Sequence, residues 1–207
     1  GITTIQSISA TQLLFIIEYA AFNSQSAIGD GITKDITSEY HRTGEASSLG
    51  NASGAVVTGA VSYRGEENLW GNIYNFVDGI NIYNGKVYIA DHDFSDNKIS
   101  DPYVLAGCLP SINGYISSFN NIDGLFIPSA NNGNSALPIG DYCWRGSSEF
   151  RLPVMNGTNI KSDLKDATGL FVGAFNQSIT MHNLNVGARL IFIPQSEITA
   201  QEVTAND

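Results

Sequence analysis

The sequence predicts an α+β domain, with small antiparallel sheets, an N-terminal helix and long ordered loops. Three observations predict it. A segment near the start carries apolar residues at helical spacing. Two alternating runs flank an Asn-Gly pair further on. The 207 residues include 21 glycines, while only 14% are charged. That composition suits turns in unusual backbone conformations. It does not suit a helical bundle, which is richer in Glu, Lys, Leu and Ala. The length suits a single domain over 1–207, with 1–45 as its N-terminal helical part and 196–207 as a polar tail.

Ser9-Ala10-Thr11-Gln12 has the spacing of a capping box. Behind it Leu13, Ile16, Ile17, Ala20, Ala21, Ala27 and Ile28 recur at helical spacing, and Gly29 is a natural stop. The pattern predicts one helix over about residues 11–28, its apolar face covering a sheet. Residues 30–60 are polar and rich in Gly and Ser, which predicts surface loop with room for a short helix and a hinge near 44–54. "AVVTGAVSYRG" reads as extended chain. Alternating runs then lead up to and away from Asn84-Gly85, the strongest short hairpin signal in the chain. From 91 to 151 the periodicity fades. The rings of Tyr103, Tyr115, Phe119, Phe126, Tyr142 and Trp144 argue against disorder there and predict ordered loops pinned by buried aromatics. Two strands are expected in "GLFVGAF" and "VGARLIFIP", joined by "NQSITMHNLN".

The net charge of −10 repels phosphate backbones and anionic membrane surfaces, so neither nucleic acid nor membrane insertion is expected. No run is long and apolar enough for a spanning helix, and "GITTIQSISA" lacks the charged and apolar regions of a signal peptide. Cys108 and Cys143 are too few for a disulfide scaffold; their pairing stays open. The nucleophile-elbow, phosphate-loop, zinc-protease and dinucleotide motifs are all missing, and His41, His92 and His182 have no ligand spacing. Asp91, Asp93, Ser95, Asp96 and Asn97 could supply oxygens to calcium, but the loop lacks Gly at position six and has Pro102 at twelve. A solvated acidic turn is the favoured reading. Glu66 and Glu67, as strand neighbours, point to opposite faces, and Arg64 is expected to pair with one of them. No catalytic residue, metal or cofactor is assigned, and the chain is expected not to be an enzyme.

Two stretches, "SYRGEENLWGNIYNFVDGINI" and "GLFVGAFNQSITMHNLNVGARLIF", resemble the C-type lectin fold in its formylglycine-generating-enzyme-like branch. The resemblance rests on Trp70-Gly71-Asn72-Ile73-Tyr74 and Gly187-Ala188-Arg189-Leu190. The wording is most similar to phage virion proteins, as is the helical segment "QLLFIIEYAAFNSQSAIGDGI". It touches about residues 10–35, 60–92 and 165–193. It implies a rigid core displaying variable loops, used for receptor binding on the virion surface. The expected partners are a bacterial surface receptor, glycan or protein, and other virion proteins. A homo-oligomer such as a homotrimer would give multivalent attachment. Sugar-binding lectins use E-P-N or Q-P-D with W-N-D, which do not occur here, and the oxidase branch uses a late cysteine pair, which is also missing.

The candidate binding residues are therefore Asn176, Gln177, Ser178, Thr180, His182 and Asn183 in the late loop. Amides and hydroxyls there offer adaptable hydrogen bonding. Tyr142, Trp144 and Arg145 are a second candidate group, an aromatic and arginine anchor. The alternative function is a structural virion component, such as a head decoration or fibre-assembly module, without host binding.

Overall fold

The computed structural model describes residues 1–33, 41–44, 46, 48–53, 59–146, 149–157 and 168–191. Its first element, α1 (Ile5–Tyr19), starts earlier than the spacing predicts. Thr4 is the N-cap: its Oγ1 accepts from the Ser7 amide at 3.3 Å while Ser7 Oγ accepts from the Thr4 amide at 3.1 Å. Ser9 and Gln12 are not a cap. Both are buried, and Gln12 Nε2 donates to the Leu170 carbonyl at 3.0 Å. The helix ends where Ala20 turns left-handed (φ 49°). Asn23 then caps a separate helix, α2 (Ser24–Ala27), by accepting from the Ser26 amide. The single long helix is thus two.

The helix face is also corrected. α1 buries Ile5, Ile8, Ser9, Gln12 and Phe15, whereas Leu13, Leu14 and Ile17 are exposed, Ile17 at 71%. Gln12 goes inward because the interior offers it a carbonyl, so hydrophobic periodicity alone picks the wrong stripe. We expect Ile17→Ala to change stability by less than about 0.5 kcal/mol. Ile8→Val, the smaller edit, should cost about 0.5–1.5 kcal/mol. Chemical denaturation checks the order; a larger loss at Ile17 would return the apolar stripe to the interior.

Three sheets follow among the described residues. β1 (Ala52–Ser53), β2 (Val61–Tyr63) and β3 (Glu66–Glu67) form an antiparallel trio. β4 (Tyr74–Phe76), β5 (Ile80–Tyr83), β6 (Lys86–Ile89) and β7 (Val104–Cys108) belong to a nine-stranded mixed sheet. So do β8 (Gly114–Tyr115), β11 (Tyr142–Trp144), β12 (Arg151–Met155), β13 (Gly173–Ser178) and β14 (Val186–Ala188). Its main path runs β7-β6-β5-β12-β13-β11-β8, with β4 joined to β12 and β14 to β4. β9 (Ser118–Ile122) and β10 (Leu125–Ala130) make a separate hairpin. The α+β class is as predicted, but the expectation of only small antiparallel sheets is corrected. β11–β13 and β4–β14 pair in parallel within the nine-stranded sheet, a long-range pairing that local alternation does not signal.

The β5–β6 hairpin turns at Asn84-Gly85, with φ of 52° and 71°, the pair of left-handed residues a type I′ turn requires. The region read as loop, 91–151, holds β7 to β11 among its described residues, and Arg151 opens β12. Phe119 and Phe126 of the β9–β10 hairpin pack with Phe22 and Phe171, so the aromatics do pin this region, with strands as their scaffold.

The W-G-N segment is structural. Trp70 is fully buried and its Nε1 donates to the Gly29 carbonyl at 2.8 Å. Gly71 has φ of 74°, and a Cβ there would run into the Ile32 amide. Asn72 bonds both backbone groups of His41 through its amide side chain. Arg189 Nη1 donates to the carbonyls of Glu67 and Asn68, tying the C-terminal segment to the trio. Arg64 does not pair with Glu66 or Glu67. Its Nε reaches Glu18 at 3.2 Å, the same carboxylate that accepts from Tyr63. The tail at 196–207 lies outside the described residues, as do 34–40, 45, 47 and 54–58, which take in parts of the expected short helix and hinge in 30–60 and of "AVVTGAVSYRG".

Candidate functional site

The two groups of candidate residues come from different parts of the chain, and strand pairing brings most of them together. β11 and β13 run parallel with Trp144 opposite Ala174, so the chain leaves both strands at the same end. Asn176, Gln177 and Ser178 close β13; Thr180, His182 and Asn183 follow in the loop. That loop returns into β14, which pairs with β4 in parallel, Val186 opposite Tyr74. The Tyr74 amide donates to the Asn185 carbonyl at 2.9 Å. Tyr74 in turn meets Trp144 edge-on, ring centroids 6.5 Å apart. The end of the late loop is thereby fixed one ring away from the anchor.

The rings continue beyond Trp144. Tyr142 lies 4.6 Å from Trp144 and Tyr115 lies 5.1 Å from Tyr142. Tyr142 and Trp144, two apart on β11, share a face, while Cys143 between them is buried on the other. Tyr115, Tyr142, Trp144 and Tyr74 form a row of half-buried rings across the sheet. Such edge-on and tilted contacts hold aromatics rigidly and leave ring surface for a partner. Burial pushes the Tyr74 phenol up from its ordinary value, so it stays a neutral hydroxyl.

The late loop is ordered by its own side chains. Ser178 Oγ accepts from the Thr180 amide and contacts the Thr180 hydroxyl at 3.0 Å. Asn183 Oδ1 accepts from both nitrogens of Asn185. Gln177 Nε2 donates to Asn176 Oδ1 at 2.8 Å. His182 and Asn183 are exposed, and beside them Leu184 is 81% exposed. Leu184, Tyr74 and Tyr115 were not among the predicted residues. Leu184 was visible in the sequence as an apolar residue inside a polar loop; the two tyrosines are placed only by long-range pairing.

Arg145 lies apart from this group. Its amide accepts no role at the loop: it donates to Asn113 Oδ1 at 3.0 Å, and its Nη1 donates to the Ser111 carbonyl at 3.2 Å. A Cβ on Gly85 would strike its guanidinium, so Arg145 braces the β5–β6 turn. β11 ends at Trp144, so Arg145 already belongs to the chain leaving the strand, and its own hydrogen bonds to Asn113 and Ser111 hold it away from the ring row.

Comparison with protein-family models and with curated proteins finds no match to the chain.

Elsewhere the sequence candidates are dispersed. The loop 91–97 is stapled by Asn81, whose amide donates to the carbonyls of Ser95 and Lys98. Asp91, Asp93 and Asp96 are not gathered: among the described residues no group of three His, Cys, Asp or Glu side chains could hold a metal. Cys108 and Cys143 are both free; Cys108 is exposed, and burial pushes the Cys143 thiol up to about 12. No helix among the described residues is long and apolar enough to cross a membrane.

Proposed function

We propose that the chain is a non-enzymatic C-type lectin-like domain of a phage virion protein, displayed on the particle surface as a homo-oligomer such as a homotrimer, and that it binds a bacterial surface receptor. The observation that carries this reading is the meeting of the late loop with the ring row through Tyr74: the Asn185 carbonyl, the Tyr74 amide and the Trp144 ring lie in one chain of contacts. Rigid aromatics beside adaptable amides and hydroxyls are the residue types binding surfaces use. The fold resemblance supplies the virion setting.

The test is binding of labelled protein to a panel of bacterial cells. A variant with Asn176, Thr180 and His182 all changed to Ala should lose strain-selective binding by about tenfold or more while keeping its melting temperature, because exposed side chains contribute little to stability. Selective binding that survives in this variant and in Trp144→Ala would overturn the assigned site. Failure to bind any strain would favour the structural virion role. One observation points to that second reading: Leu13, Leu14 and Ile17 present an uncharged apolar stripe on α1 of the kind subunit contacts cover.

A further inference from the structure

A second site lies on the opposite face of β4. A cavity of about 520 Å³ opens between α1, the β2–β3 turn and the chain leaving β14. Asn75, next to Tyr74 on β4, lines it, and strand alternation turns Asn75 away from the ring row. The volume falls within the roughly 300–1,000 Å³ usual for small-ligand sites.

Its lining includes buried and half-buried polar groups that keep unused bonding capacity. Asn156 is 1% exposed, and its Oδ1 has no hydrogen-bond partner. Asn75 is 3% exposed, and its Nδ2 has only a long bond of 3.4 Å to the Ile73 carbonyl. Both hydrogen bonds of Arg189 leave from Nη1, so its Nε and Nη2 donors are left over. Unsatisfied buried polar atoms are few in folded chains. Asn156 Oδ1 is one, and it sits on the wall of a cavity beside donors with spare capacity, which points to something that completes it.

The electrostatics narrow the occupant. Glu66 and Glu67 line the cavity with Arg189, two carboxylates against one guanidinium. Their charge raises the Arg189 pKa while burial, the larger effect, lowers it. Glu67 Oε2 already accepts from the Gly44 amide, and Glu66 Oε1 accepts from Thr11 at 3.4 Å. The excess negative charge disfavours anions. Donors (Arg189, Asn75) and acceptors (Asn156 Oδ1, Glu66, Glu67) line the same cavity, which suits hydroxyl groups, since each hydroxyl both donates and accepts. Ile8, Leu69 and Leu170 add apolar surface for carbon-bound hydrogens. We propose that this cavity binds an uncharged, hydroxyl-rich ligand of monosaccharide size, held by Arg189, Asn75, Asn156 and the Glu66–Glu67 pair. The site is separate from the late loop and stands without the receptor reading.

The experiment is saturation-transfer NMR on the whole chain with D-glucose, D-galactose, D-mannose and D-glucuronate as probes, followed by affinity measurement. Transfer to at least one neutral hexose is expected, with weaker or no transfer to glucuronate. Thr11→Leu narrows the cavity and removes a hydroxyl; Asn156→Gly removes the unpartnered amide at a position whose φ of 76° suits glycine. Each should weaken binding about tenfold, while the Asn176/Thr180/His182 triple variant should leave it unchanged. Thr11→Leu alone decides the matter if Asn156→Gly does not fold. Lack of transfer to any hexose would mean that water alone fills the cavity, and would overturn the proposal. So would a preference for glucuronate, or hexose affinity that is undiminished in folded Thr11→Leu.

Discussion

Asp141→Ala is expected to destabilise the domain by about 1–3 kcal/mol, the cost of orphaning a buried hydrogen-bonding group. Asp141 is fully buried just before β11, and Oδ2 accepts from the Phe171 amide at 2.7 Å. Gln25 Nε2 reaches Oδ1 at 3.3 Å. The segment receiving these bonds, 168–172, is also held by Ser24, which accepts from the Leu170 amide, and by Gln12. Gly169 sits so close that a Cβ would overlap the carboxylate. Truncation would strand the Phe171 amide just before the strand that leads to the late loop, while Gln25 Nε2 would keep its bond to the Thr168 carbonyl.

The same residue sets a pH dependence with a definite sign. Burial pushes the Asp141 carboxyl well above its usual range, and the Phe171 and Val172 backbone amides offset this only in part. A raised folded pKa means that the native state binds more protons than the unfolded chain. Its contribution is fully present below the unfolded value of about 3.9 and is lost as pH rises through the folded value, by up to about 1.4 kcal/mol per pH unit. Asp78, raised by burial, adds a loss of the same sign, so the wild-type profile alone does not isolate Asp141. The difference between wild type and Asp141→Asn, from denaturation at a series of pH values, does isolate it. The difference should shrink as pH rises above about 4; parallel profiles would show that Asp141 ionises normally in the folded state.

How far this was legible in the sequence varies with the range of the interaction. Asn84-Gly85 could be read because a type I′ turn is a local requirement met by two adjacent residues. Asp123-Gly124, with φ of 52° and 86°, is the same kind of signal. It went unread because its flanks, "SFNNI" and "LFIPSA", lack clean alternation and include Pro128. The helix face was misread because Gln12 finds the Leu170 carbonyl, 158 residues away. At the candidate site, residue types pointed to both the late loop and Trp144. Their meeting depends on the parallel β4–β14 and β11–β13 pairs, which no short window contains.

Trp70→Ala is expected to be the other severe substitution, at about 3–5 kcal/mol for loss of a buried aromatic and the cavity it leaves. For a chain of this size that corresponds to a fall in melting temperature of roughly 6–20 °C. The ring carries two separable contributions. Its area fills the interior, where it is among the largest fully buried side chains. Its Nε1–H satisfies the Gly29 carbonyl, joining the end of the helical part to the sheets. Trp70→Phe retains most of the first and removes the second, so it should cost about 1–3 kcal/mol, the range for an orphaned buried polar group. If Phe restores wild-type stability, the carbonyl has found water and the indole acts through volume alone. If Phe is as damaging as Ala, the hydrogen bond holds 29–32 against Gly71 and Asn72, and the Ile32–Gly71 bridge should loosen with it. Hydrogen exchange at the Asn72 amide, which donates to the Ile32 carbonyl at 3.0 Å, reads that bridge directly.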